Sequence, residues 1–519
     1  MPVYQYGQLN TQALEAADLY VQIMPPAGIS INGIPTNGLG LVGVGSWGPV
    51  NAVITAGSMA EVLQGVGNVT NRMHDLATGG QIARQLGVTS MMLVRVTDGT
   101  DVAASVDLMD TAATPVAGIL LTAKYTGIVG NTITAYIAAG TAANTYKCVI
   151  TRQGYAPEVF DNVGGTGATF WTNLANAINN GQTGLRGPSS IGTATAQSST
   201  SAPNTTTVYA LIGGTDGATG VTDATLLGAD GTTRTGMYAL RGSGAQVGTL
   251  LDAQTATQWP SQVSFALSEG LYMIDANPPS TSIANSASAV STNGVDTYGL
   301  SVMVGDWCYW FDTANGVTRM LSPATFKACL VAAMGPQRST LNKPINNIIG
   351  TQRTQSGVPY AQSDIAAAAQ GRVDLITNPC PGGAYFGCRT GLNTSSNKET
   401  NQDNYTRMTN FLAFTLAMTM GIIVGDTITT TVYTDVEGGI GSFLHGLYDA
   451  KPQMIGNPNK PGAKNAYSVT CNSSNNTSQQ ESLGYLVCAV KVRYLNIVRF
   501  FLINLEGGGN VTVTIQNAA

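Results

Sequence analysis

The stretch that most constrains this chain is its last thirty-five residues, 485–519, which read as three strands in succession. Residues 485–494 (YLVCAVKVRY) alternate, with Leu486, Cys488, Val490 and Val492 on one face and Lys491 and Arg493 on the other. Residues 497–505 (IVRFFLINL) are apolar on both faces apart from Arg499 and Asn504, the pattern of a strand buried on both sides. Glu506 and three glycines follow, Gly507, Gly508 and Gly509. The third run sets Val511, Val513 and Ile515 against Thr512, Thr514 and Gln516. A terminal strand with a half-apolar face needs a sheet to join, and three successive glycines let it swing away from the strands before it. Whether that sheet belongs to this molecule or to another is the question the run poses.

Composition narrows the answer. At 519 residues the chain exceeds the ~250–300 at which single cores stop growing, so two to four domains are expected. Only 10% of residues are charged, against roughly 25% in ordinary soluble domains. Gly, Thr, Ser, Asn and Ala fill the shortfall, and a surface so poor in charge is expected to be covered by neighbours. A net charge of −5 argues against a nucleic-acid binder held by phosphate contacts. The first ten residues show neither a positive n-region nor an apolar h-region, so no export signal is expected. The longest apolar run, 411–424, is too short and Thr-rich to span a membrane and reads as a buried helix. Seven cysteines (148, 308, 329, 380, 388, 471 and 488) read as free thiols by default, with a Cys380–Cys388 pairing left open.

In chain order, residues 1–22 form a sparse arm with short strand candidates carrying Val3, Tyr4 and Tyr6, then Tyr20, Val21 and Ile23. Residues 24–110 begin an α/β unit. It holds a Gly-rich strand at 39–44, a capping box from Ser58 to Glu61, a helix over 71–86 and a buried strand at 91–96. Residues 111–215 turn Thr/Ala/Gly-rich, with short strands at 119–123, 132–137, 146–150 and 208–212 and a helix at 170–179, and read as an inserted, mostly β domain. Residues 216–335 return to α/β, with strands at 247–253 and 271–275 and one long strand at 301–312. Their helices fall at 255–268, 281–291 and from Ser322-Pro323 to 334. A loop-rich stretch leads to a helix at 404–420, a strand at 427–433 and a helix at 437–448. The fold class is multidomain α/β (α+β). The divisions are an N-terminal arm 1–22, an outer α/β domain 23–110 plus 216–335, an insertion 111–215, a C-terminal core domain 336–506 and a C-terminal arm 507–519.

Chemistry-bearing patterns are sparse. The two histidines, His74 and His445, each sit alone and read as surface or capping residues. No GxxxxGK[ST] loop and no GxSxG elbow occurs. The acids between 98 and 110 read as a solvated loop, and Glu158 and Asp161, the close carboxylate pair of the insertion, read as exposed. An enzyme is therefore not expected, nor a cofactor or metal.

An ordered set of segments carries a resemblance. It comprises 38–50 (GLGLVGVGSWGPV), 123–137 (AKYTGIVGNTITAYI), 211–217 (LIGGTDG), 304–312 with 321–333, 343–350 (KPINNIIG), 382–390 (GGAYFGCRT) and 467–505. In this order they resemble the contractile tail sheath proteins of myoviruses and of related contractile injection machines. One departure is Leu321-Ser322-Pro323-Ala324, where that family often has Pro-Pro-Ser-Gly.

The resemblance implies a structural subunit that stacks as rings of six around a tail tube and contracts to drive the tube through a host envelope for genome delivery. It implies a homo-oligomer, with a tail tube protein, baseplate and tail terminator proteins as partners, and neither nucleic acid nor membrane. The location implied is the virion tail, assembled in the host cytoplasm. Both terminal arms are implied to exchange strands between subunits. Residues 485–505 would stay in their own sheet, Gly507–Gly509 would be the hinge, and Val511, Val513 and Ile515 would be buried in a neighbour. A tube-facing role falls by similarity on Phe443, His445, Tyr448 and Lys451, with Phe443 and Leu447 equally readable as plain core. The sheath of a non-viral injection device and a surface-layer protein are the other structural readings.

Overall fold

The computed structural model describes residues 3–6, 20–23, 31–503 and 505. The chain divides into two units, one spanning Ile31–Gly425 and the other combining Met1–Ser30 with Asp426–Ala519.

The larger unit is built on a six-stranded sheet ordered Leu300–Met303, Tyr272–Ala276, Val247–Leu250, Gly38–Gly43, Ser90–Arg95, Val53–Ala56. All neighbours run parallel except the antiparallel edge strand Val53–Ala56. A parallel sheet is covered on both faces, so its central strand carries no polar residue to turn toward water. That is why Gly38–Gly43 reads GLGLVG and is buried throughout. Its glycines are set by close approach: a Cβ on Gly40 would stand 2.9 Å from Leu240 Cδ1, and one on Gly43 would stand 2.2 Å from the His74 carbonyl oxygen.

Helices Met59–Val66, Leu76–Gln85 and Pro323–Ala333 contribute Val62, Leu76, Ile82, Phe326 and Leu330 to one apolar core. Trp259–Glu269 and Ile283–Thr292 contribute Trp259, Phe265 and Val290 to a second. The capping box forms as the sequence predicts: Glu61 N donates to Ser58 Oγ at 3.3 Å and Ser58 N to Glu61 Oε2 at 3.2 Å. Ser322 and Pro323 likewise open their helix.

Two local expectations change. The helix expected from 71 begins at Leu76, because His74 adopts φ +58° and Asp75 caps the helix by accepting from Thr78 N at 2.9 Å. The single strand expected at 301–312 is two, Leu300–Met303 in the main sheet and Cys308–Asp312 in an antiparallel sheet with Val317–Leu321 and Ile348–Thr351. Gly305 lies at the break, where a Cβ would stand 2.1 Å from the Pro278 carbonyl oxygen.

A third core gathers Leu108, Ile119, Ile137, Phe160, Phe170 and Trp171. It lies among a three-stranded sheet (Gly192–Ala196, Ala117–Ala123, Ser105–Met109), a four-stranded sheet (Glu158–Val163, Tyr146–Thr151, Thr134–Ala139, Val208–Ala210) and the helix Ala168–Asn180. Glu158 is buried rather than exposed and accepts from Ser190 N at 2.9 Å, whereas Asp161, on the other side of its strand, is only half-buried. Asp110 is buried too, accepting from Ala112 N and Val116 N at 3.0 Å, so the acids of 98–110 organise turns rather than merely meeting water.

The larger unit also encloses an ionic network. Lys327 Nζ, fully buried, donates to Asp374 Oδ2 and Ser301 Oγ at 2.7 Å and lies 3.4 Å from Asp403 Oδ1. Asp403 accepts further from Tyr272 Oη at 2.5 Å and from Thr340 Oγ1. Burial alone would raise the Asp374 carboxyl, but the Lys327 ammonium and backbone donors bring it below the usual range.

Candidate assembly segments

In the smaller unit, strand Val3–Tyr6 pairs parallel with strand Tyr20–Ile23, placing Val3 opposite Tyr20, Tyr4 opposite Val21 and Tyr6 opposite Ile23. The expected strand at 427–433 is instead the start of a helix, Thr430–Asp449, because Thr429 Oγ1 accepts from Val432 N at 3.3 Å and caps it. Tyr433, Val436, Ile440, Phe443, Leu444 and Leu447 form its buried stripe, at the three- and four-residue spacing of one helix face. Strand Tyr467–Thr470 packs against this helix and pairs antiparallel with Ala489–Val492. Glu437 Oε2 accepts from Cys471 N at 3.1 Å, and Tyr433 Oη donates to Glu481 Oε1 at 2.5 Å. That hydrogen bond pushes the Tyr433 phenol up to about 12.

These elements separate the four tube-facing candidates. Phe443 belongs to the buried stripe, as does Leu447. His445 is exposed, with Nε2 3.2 Å from Asp449 Oδ2 and its ring stacked on Tyr448. Tyr448 Oη accepts from Gly462 N at 3.0 Å, and Lys451 is exposed just beyond the helix. On the same helix Gly438, Gly441 and Gly446 have nothing within 4 Å of where a side chain would begin, so part of this helix surface is bare backbone.

The C-terminal strands depart furthest from the sequence pattern. Pairing covers only Ala489–Val492 within residues 485–494, followed by an isolated bridge between Tyr494 and Ile455. Residues 495–503 form no strand, and the apolar run expected to be buried on both faces lies in the open. Val498 is 73% exposed, Phe500 84%, Phe501 81%, Leu502 87%, Ile503 73% and Leu505 90%. The expected placement of this run in its own subunit's sheet is therefore not met: among the described residues its large apolar side chains face outward. Gly507, Gly508, Gly509, Val511, Val513 and Ile515 lie outside the described residues.

His74 is buried, contrary to a surface reading, with Nδ1 2.7 Å from the Leu251 carbonyl oxygen and its backbone N donating to Asp252 Oδ2. Cys380 Sγ donates to the Thr377 carbonyl at 3.3 Å, and Cys380 and Cys388 are both free and buried. An open pocket beside the main sheet is lined by Ser282, Asp306, Arg353, Tyr360 and Asp364. There Arg353 pairs with Asp364 at 3.0 Å and stacks over Tyr360, whose hydroxyl hydrogen-bonds the Asp306 carboxylate. Among the described residues no group of His, Cys, Asp and Glu could hold a metal ion, and no helix is long and apolar enough to cross a membrane.

No protein-family profile matches this sequence, and no curated protein matches it. Solved structures do. The sheath tail protein of Listeria innocua is 14% identical and superposes with a TM-score of 0.60 over 86% of this chain and 90% of that one. The sheath tail protein of Desulfitobacterium hafniense is 15% identical, with a TM-score of 0.53 over 85% and 90% of the two chains. The contracted sheath of an extracellular contractile injection system, PVC, is 10% identical, with a TM-score of 0.54 over 96% of this chain and 99% of that one. The sequence diverges widely while layers and connections persist, and this chain has the fold of the sheath proteins of contractile tails and injection systems.

Proposed function

We propose that this chain is the repeating structural subunit of a contractile sheath, that copies stack as six-fold rings around a tail tube, and that contraction drives the tube through a host envelope. One observation carries the reading: on a chain with the sheath fold, the large apolar side chains of Val498, Phe500, Phe501, Leu502, Ile503 and Leu505 stand exposed. Each such side chain gains about 1.5–3 kcal/mol when fully buried. A backbone in this state finds burial and hydrogen bonds together by adding a strand to the sheet of a neighbouring copy. Being apolar on both faces, the run suits a position covered above and below.

The arm therefore begins earlier than the glycine hinge. Its root is Tyr494, and Gly507–Gly509 with Val511, Val513 and Ile515 extend it. The N-terminal residues Val3, Tyr4, Tyr6, Tyr20, Val21 and Ile23 form the second linking segment. Linked subunits reorient as near-rigid bodies, and contraction draws its free energy from contacts that differ between the two states, without nucleotide. The tube side falls to helix Thr430–Asp449, which carries His445, Tyr448 and the bare glycine backbone, and to Lys451 just beyond it. Baseplate and tail terminator proteins close the two ends of the stack, and the virion tail is the setting. A sheath of a non-viral injection device is the second reading, favoured by the likeness to an injection-system sheath along nearly the whole chain.

Electron microscopy of the purified full chain tests the proposal. Tubes with six-fold helical order are expected; a monodisperse monomer at every concentration and salt tried would refute it.

A further inference from the structure

The loop joining strands Tyr467–Thr470 and Ala489–Val492 begins at Cys471 and ends at Cys488. Their register pairs Thr470 with Ala489, so the next position sets Cys471 opposite Cys488. Directly opposed residues of an antiparallel pair have Cα atoms roughly 4.5–5.5 Å apart, inside the span a disulfide bridges. Cys471 is buried, Cys488 is half-buried, and both are free thiols. The two interact directly: burial raises both, Cys488 to about 12, and each thiol perturbs the other, with the Glu437 carboxylate of the covering helix adding to the effect. The loop is already ordered around them. Asn475 Nδ2 donates to the Thr470 carbonyl at 2.7 Å and the Val487 carbonyl at 2.9 Å, and Asn476 Nδ2 to the Val487 carbonyl at 3.0 Å. The pair is thus opposed across the hairpin within an ordered loop. Cys380 and Cys388 lack this: the Cys380 thiol is spent on the Thr377 and Gly387 carbonyls.

We propose that Cys471 and Cys488 are a redox-modification site, closing to a disulfide on exposure to a small-molecule disulfide such as oxidised glutathione and so stapling the hairpin at the root of the C-terminal segment. In the first step the more exposed Cys488, which ionises only slightly because its thiol is pushed up and so reacts slowly near neutral pH, loses its proton and attacks one sulfur of the oxidant as the thiolate, forming a mixed disulfide and releasing one glutathione thiol. Cys471 then attacks the Cys488 sulfur and releases the second. Two electrons pass from the protein pair to the oxidant, and the two protein thiol protons end on two glutathione thiols. The site goes beyond the sheath reading and does not depend on it.

The test is oxidation of the purified full chain with glutathione disulfide, followed by alkylation under denaturing conditions and peptide mapping. A link between the Cys471 and Cys488 peptides is expected, with the alkylated thiols falling from seven to five. Seven alkylated thiols, a Cys380–Cys388 link, or glutathione that remains on Cys488 would each overturn the proposal. In Cys471→Ser the resolving thiol is gone, so Cys488 is expected to retain glutathione. If it stays as free of glutathione as in the native chain, the two-step route is wrong.

Discussion

Lys327 is a fully buried cation in the core of the larger unit, and Lys327→Met isolates its role. Methionine roughly matches the length and apolar stem of lysine but leaves Asp374 and Asp403, both buried, without the ammonium between them. Removing one partner of a buried pair costs about 3–5 kcal/mol, because the charge left behind is uncompensated. The pH dependence separates this from a simple packing loss. In the native chain Asp374 titrates below its ordinary range, so its contribution is present above the unfolded carboxylate pKa of about 3.9 and is lost as pH falls through the lower folded value. Without Lys327, burial prevails and a buried carboxyl must hold a proton to stay folded. Stability then falls as pH rises above about 4. Urea unfolding followed by tryptophan fluorescence reads the larger unit, since all five tryptophans (47, 171, 259, 307 and 310) lie in it. The deficit of Lys327→Met is expected to exceed about 3 kcal/mol at pH 8 and to shrink by about 1 kcal/mol or more at pH 5. Adding Asp374→Asn is expected to recover part of it. A deficit under about 1 kcal/mol, or one equal at both pH values, would mean that Lys327 does not compensate the buried carboxylates.

Three further outcomes are expected. Phe500→Ser with Leu502→Ser removes two of the exposed side chains and should raise the concentration needed for assembly by about a hundredfold or more. Thermal unfolding of the unassembled chain should stay within about 1 °C, as neither side chain is packed; light scattering and calorimetry measure the two. Asp275 is fully buried, accepts from Trp259 Nε1 and Gln262 Nε2, and is pushed up to about 7 by burial. A carboxyl raised in the folded state favours folding at low pH, so Asp275→Asn should flatten a decline in urea stability between about pH 4 and 7. Gly118→Ala would set a Cβ 2.1 Å from the Trp171 ring and should cost about 1–3 kcal/mol, visible as a lower urea midpoint.

Local rules carried much of the fold. Ser58 with Glu61, and Ser322 with Pro323, announce helix starts because their partners lie within a few residues. The apolar glycine strand 38–43 announces a sheet covered on both faces. Features set by distant approach were not legible in this way. Nothing in 301–312 reveals that Gly305 must fit against Pro278, which breaks one expected strand into two. Lys327 leaves a faint trace, a lone cation in the otherwise apolar FKACLVAA, and its partners lie 47 and 76 residues further on. The C-terminal run is the instructive case. Its two-faced apolar pattern predicts burial in its own sheet, yet these side chains are exposed, because periodicity reports a preference for an apolar environment and not whether the same chain supplies one. Among the tube-facing candidates, helical spacing already contained the reason Phe443 turns inward, since it falls in register with Val436, Ile440 and Leu447.

On the proposed assembly, another copy of the chain covers the exposed apolar residues between 498 and 505, and cryo-electron microscopy of the assembled polymer decides whether it does. Each run is expected to lie as a strand in the sheet of an adjacent subunit, with Phe500, Leu502 and Ile503 covered. A run that folds back onto its own subunit, or that stays open to solvent in the polymer, would contradict it.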